Sequence, residues 1–151
     1  MEKLKKYSPL IAGILAIVAA VMIFLPAVQQ TSFYGTATDS GLNVTFGLNG
    51  WAFSFMNLVT YALAILGAVL CFMSVKKEND ALNIIAAVIL VVAAVFFFMT
   101  VNFSTVEIMG VKTSANSFGC SLGIGAILGG ICSIIAAVGI VCPLVLKKLG
   151  K

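Results

Sequence analysis

Residues 119–146 read GCSLGIGAILGGICSIIAAVGIVCPLVL. The stretch carries no charge, is crowded with glycine, and exceeds the ~20 apolar residues that cross a ~30 Å hydrocarbon core. At ~1.5 Å per residue it overshoots that core, so it must tilt or protrude at its outer end. Three further stretches share its apolar character. Spans are expected at about 10–28, 51–75, 81–101 and 120–146. Outer connections at 29–50 and 102–119 join them, with a tight polar turn at 76–80 (KKEND). So short a turn makes the second and third spans antiparallel neighbours. The chain thus reads as an all-α membrane protein, one four-transmembrane-helix bundle covering residues 1–151.

Composition agrees. Apolar residues make up 62% of the chain and charged residues 9%, whereas a soluble domain is nearer half apolar and a quarter charged. All nine basic residues are lysine, with no arginine and no histidine. That usage suits a bacterium with AT-rich coding. The net charge of +4 does not point to nucleic acid, because the lysines sit at span ends with no aromatic residues among them. Cys71, Cys120, Cys132 and Cys142 form no C-x-x-C and have no histidine to share a metal with. They read as small apolar residues, with Cys120 the one placed to reach solvent.

The start, MEKLKKYSP, is basic and then apolar, which is also the pattern of a signal peptide. The apolar run is long for one, no A-x-A site follows, and removal would leave three spans. It is read as the first span, with Pro9 in the first helical turn and Pro26 breaking the helix near its exit. In the first outer connection, 31–38 (TSFYGTAT) and 42–46 (LNVTF) read as strands around a turn at Asp39-Ser40-Gly41. An isolated hairpin is marginal, so residues 104–112 (STVEIMGVK) are expected to add a third strand. The two outer loops together then form a small extracytoplasmic β-sheet. Trp51, Phe53 and Phe55 read as interfacial anchors.

Eight of the nine lysines fall in the N-terminal tail, the 76–80 turn and the C-terminal tail; Lys112 alone lies in an outer loop. The positive-inside rule puts both termini in the cytoplasm and the β-like loops outside, in a plasma (inner) membrane. The halves also resemble each other. Residues 17–28 (IVAAVMIFLPAV) match 91–102 (VVAAVFFFMTVN), and GAVLCFMSVKK at 67–77 matches GIVCPLVLKK at 139–148. This reads as a tandem repeat, 10–77 and 84–148, with parallel halves; the alternative is that any two such spans look alike.

Helices in lipid associate through close contact at small residues. Gly119, Gly123, Gly125, Gly129 and Gly130 are the helix-packing candidates, with Ala12/Ala16/Ala20 and Ala64/Ala68 on other spans. They suit packing inside one bundle; a homo-oligomer through Gly125-x-x-x-Gly129 is the alternative. No ionisable residue lies within a span, which argues against a proton relay or voltage sensor. Asn57, Thr60, Ser121 and Ser133 are the polar residues that would line a path or make interhelical contacts, Asn57 reading as glue between helices. No catalytic, cofactor-binding or metal constellation is present, so no enzyme activity and no cofactor are expected.

Four spans, a long β-like first loop, a shorter second one and Phe46-Gly47-Leu48-Asn49-Gly50-Trp51 resemble the claudin and peripheral-myelin-protein tetraspans, and more generally small bacterial four-span proteins. The resemblance implies one small sheet, built by both outer loops, over the bundle. The loop cysteine pair of that family is absent from residues 29–50. The expected function is that of a non-enzymatic interaction module acting through the outer β-layer: a scaffold, an accessory subunit, or an immunity protein against a membrane toxin. Its partners would be the bilayer and a protein at the outer loops. A small passive channel or facilitator is one alternative, and lipid binding beside the glycine face is another.

Overall fold

The computed structural model describes residues 2–77 and 79–150, with residues 2–6 described by their backbone only. Among them, four helices are long and apolar enough to cross a bilayer: α1 (Glu2–Val21), α3 (Phe55–Lys77), α4 (Asp80–Phe98) and α6 (Ile124–Leu149). Each packs on two neighbours, in the ring order α1, α3, α4, α6. The inside is made of small side chains. Ala12, Ala16, Ala68, Ala86, Ala87, Ala136 and Ala137 surround Leu90, Cys71 and Ile140, and a second layer sets Ala19 and Ala64 beside Tyr61 and Phe97. The large branched residues point outward: Ile14 and Ile17, Ile65 and Val69, Val88 and Val91, Ile134 and Val138 are all exposed. That distribution is the inverse of a soluble bundle, and so large an apolar surface is stable only against lipid. The protein is an integral membrane protein.

Both long connections meet at one end of the bundle as a cap. α1 gives way to a 3-10 turn, Met22–Phe24, because Leu25 precedes Pro26 and is held extended (φ −89°, ψ 161°). Strands β1 (Pro26–Ser32) and β2 (Gly35–Ser40) form a hairpin, then α2 (Gly41–Phe46) leads toward α3. In the second connection, α5 (Thr100–Phe103) precedes the hairpin β3 (Thr105–Ile108) and β4 (Val111–Ser114); a 3-10 turn, Ala115–Phe118, then precedes β5 (Cys120–Leu122). β1 is the middle strand of the sheet β2-β1-β5, with Val28 opposite Leu122 and Gln30 opposite Cys120. β3 and β4 make a second sheet, tied to the first connection by the Trp51–Val106 bridge and by Ala52 N–H donating to Thr105 O at 2.8 Å.

The small sheet built by both outer connections is therefore present, but with different strands. Residues 42–46 are helical: Ser40 is the N-cap of α2, its Oγ accepting from Asn43 N at 3.3 Å. The turn signal at 39–41 is a helix start, and the hairpin turns at Phe33-Tyr34 instead. The strand completing the first hairpin is β5, at the head of the expected last span, so the last helix starts at Ile124 and not at residue 120. Residues 104–112 fold back on themselves with the segment that follows, as β3 and β4, instead of pairing with β1. Pro9 lies inside α1, which begins earlier than expected. The opposite end of the bundle holds the basic termini of α3 and α6, where Lys147 Nζ meets Asp80 Oδ2 at 2.8 Å. Lys151 and Glu78 lie outside the described residues.

Candidate functional site

The candidate site is the cap, together with the polar layer that seats it. Beneath the strands, Val28, Val44, Trp51, Val101, Ala115 and Cys120 form a cluster. Trp51 is only 9% exposed, so it is part of the cap's core and not an interfacial anchor. Phe53 and Phe55 remain exposed at the junction with the bundle.

The junction is polar. Ser54 caps α3, accepting from Asn57 N at 3.3 Å, and donates its own Oγ to Phe103 O at 2.8 Å. Asn57 Nδ2 donates to Ser104 Oγ at 3.0 Å, and that hydroxyl donates to Thr100 O at 2.6 Å. A chain of hydroxyls and one amide thus ties α3 to the second connection, where a polar group left alone would be costly. Asn57 thus meets the second connection at Ser104, where the sequence suggested a contact with another spanning helix. Three buried atoms in this layer, Thr45 Oγ1, Asn57 Oδ1 and Tyr61 Oη, have no hydrogen-bond partner. Gly41 and Thr45, one turn apart on α2, are both buried, and Gly41 packs directly on the Tyr61 hydroxyl.

The other polar candidates do not converge on Asn57. Thr60 Oγ1 donates to Met56 O at 2.9 Å and Ser133 Oγ to Gly129 O at 2.8 Å, each within its own helix. Ser121 lies exposed on β5, its Oγ 3.4 Å from Gln29 O. The four do not line one path. The glycines divide as well. Gly129 faces the Phe97 ring, Gly130 the Phe98 ring, and Gly125 faces Leu25 and Pro26, while Gly123 abuts the Pro26 and Ala27 backbone. Gly119 packs on nothing; it closes the Ala115–Phe118 turn in the left-handed region (φ +69°), where glycine is favoured. Sequence reading missed Ser54, Ser104, Thr45 and Tyr61. Of these only Ser54 carried a local signal, a serine set just before an apolar helical run.

Two hairpin tips project from the cap. Phe33 and Tyr34 are 101% and 98% exposed and stack edge to face at 6.0 Å. At the other tip Met109 is 100% exposed with φ +50°, followed by Gly110 at φ +82°. Two successive positive φ values suit Asn-Gly or Asp-Gly, and methionine there is strained.

Cys120 is 9% exposed and so is not the solvent-accessible thiol expected of it. Burial, and then the negative charge of Asp39, raise its pKa above the usual 9.0. Little thiolate therefore forms near neutrality, and the thiolate is the reactive species. In a chain whose other cysteines are alanine, iodoacetamide labelling of Cys120 is expected to be slow at pH 7 and still rising past pH 9. A rate that levels off below pH 9 would contradict this.

No group of three or more His, Cys, Asp or Glu side chains able to hold a metal occurs among the described residues. Comparison of the chain with protein-family models, curated proteins and solved structures finds no match, and no similarity to the claudin-type tetraspans is found; four helices able to span a membrane are what stands of that resemblance.

Proposed function

We propose that the protein is a non-enzymatic interaction module of a bacterial plasma membrane, which presents its cap outside the cell to a protein partner. It would serve as a scaffold, an accessory subunit or an immunity-type protein. The observation that carries this reading is the pair of tips, where Phe33, Tyr34 and Met109 stand fully exposed. A folded cap with its own core gains nothing from such side chains, and in Met109 it tolerates a strained backbone besides. Exposed aromatic and methionine side chains are enriched at protein interfaces. The lysine-rich end lies opposite the cap, which supports cytoplasmic termini. The two halves run through similar element orders, a long helix, a short helical turn, a hairpin, a second short helical segment and a long helix, with β5 added before the last helix in the second half; this supports a duplicated unit.

The test is capture. Cross-linking in native membranes followed by purification is expected to retrieve a partner with the native chain. A Phe33→Ser, Tyr34→Ser, Met109→Asn variant is expected to lose it while keeping its thermal midpoint, because Phe33 and Tyr34 pack only on each other and Met109 is fully exposed. Capture that survives all three changes would overturn the reading.

A further inference from the structure

A groove of about 390 Å³ runs between α1 and α6, in the half of the bundle away from the cap. Tyr7, Ile11 and Leu15 line it from α1, and Ile135 and Gly139 from α6. Its walls are nearly all apolar. Ile11 and Ile135 stand exposed on its rim, so it opens on the outer face of the bundle. The floor is open at Gly139: a side chain added there would meet nothing within 4 Å. Elsewhere in the bundle glycines are covered, as Gly67 on α3 is by Leu90 and Gly13 on α1 by Phe72. Both walls are membrane-crossing helices, so what reaches the groove is hydrocarbon and not water.

Charge says which lipid. Gly139 lies nine residues before Lys148, about 14 Å along the helix axis at ~1.5 Å per residue. Ser8, next to Tyr7, donates to the Gly139 carbonyl, so Tyr7 and Gly139 stand at one level; the groove runs from there toward the cap, and the lysines of both helices lie on the headgroup side of it. Lys147 and Lys148 are exposed in the last turn of α6. Lys147 is held by Asp80 at 2.8 Å, and α1 carries Lys3, Lys5 and Lys6 in the turns before Tyr7. Tyr7, half exposed at the mouth, has the amphipathic ring that settles at headgroup level.

We infer that this groove holds one acyl chain of an anionic phospholipid, with its headgroup phosphate at the lysine-rich helix ends. The site is separate from the cap and does not depend on the cap having a partner. In this picture the missing side chain at Gly139 makes room for the lipid, and the lysines select its charge.

The experiment uses the full chain in bilayers of phosphatidylcholine with phosphatidylglycerol as the minor lipid, with retained lipid read by native mass spectrometry. The native chain is expected to carry phosphatidylglycerol in excess of its share. Gly139→Phe fills the floor and is expected to abolish that retention without lowering the thermal midpoint. Lys147→Gln with Lys148→Gln is expected to keep a bound lipid and lose the preference for phosphatidylglycerol. Val88→Phe, on the exposed face of α4, is the control and is expected to change nothing. Equal retention of both lipids by the native chain, full retention by Gly139→Phe, or an equal loss in Val88→Phe would each overturn the inference.

Discussion

Leucine in place of Gly129 is expected to destabilise the bundle by about 3 kcal/mol, the upper end of the range for overpacking a well-filled core. Gly129 faces the Phe97 ring so closely that even a methyl group would sit 2.7 Å from its nearest carbon. Phe97 cannot swing aside. It is fully buried, and its ring meets Tyr61 edge to face at 5.3 Å. The remaining route is separation of α4 from α6, which forfeits the close approach that holds helices together in lipid. Gly139→Leu, ten residues along the same helix, is the internal contrast. It meets open space and gains the ~0.8–1 kcal/mol by which glycine is poorer than good helix formers. Unfolding by sodium dodecyl sulfate should separate the two variants clearly. The same pair decides between packing within one chain and dimerisation. Gly125, Gly129 and Gly130 all face residues of their own chain, so Gly129→Leu should lower stability whatever the oligomeric state. A variant that keeps its unfolding midpoint and loses only a dimer would sink this account.

The features legible in the sequence were those with a local signature. Four apolar runs, a polar turn at 76–80 and small residues at i, i+4 need no tertiary information, and the helices and the buried alanines Ala12, Ala16, Ala64 and Ala68 lie where those signs place them. Ala20 is the exception, half-buried while Ala19 takes the interior. The cap was legible in outline only, because its pairing is non-local. Cys120–Leu122 continues an apolar run and looks helical until β1, more than ninety residues earlier, pairs with it through Val28–Leu122. Close contact of Gly123 with the Pro26 backbone then fixes where α6 begins. Residues 42–46 show the converse. Those residues have strand-like side chains, but Ser40 and Gly47 bracket them as the two caps of a short helix, and capping prevails over β propensity. The polar junction was the least legible. Asn57 and Ser104 are far apart in sequence, and neither carries a sign that it will meet the other.

Ser8 and Pro143 are expected to be energetically coupled although they lie on different helices. Proline has no N–H, so Pro143 leaves the carbonyl four residues earlier, that of Gly139, without its helical donor. Lipid offers no replacement, and an unsatisfied carbonyl in hydrocarbon is costly. Ser8 Oγ donates to Gly139 O across the α1–α6 contact. The hydroxyl therefore supplies what the proline removes, and it joins the first helix to the last at the same step. Ser8→Ala is expected to cost about 1–3 kcal/mol, the usual penalty for stranding a backbone acceptor away from water. In a Pro143→Ala background the backbone N–H of residue 143 can reach Gly139 O again, and Ser8→Ala should then cost only a fraction of that. The difference between the two costs, read from a double-mutant cycle on unfolding midpoints, measures the coupling. Equal costs in both backgrounds would show that Ser8 acts through packing alone. A larger cost with alanine at 143 would mean that the two helices depend on the hydroxyl for something other than the freed carbonyl.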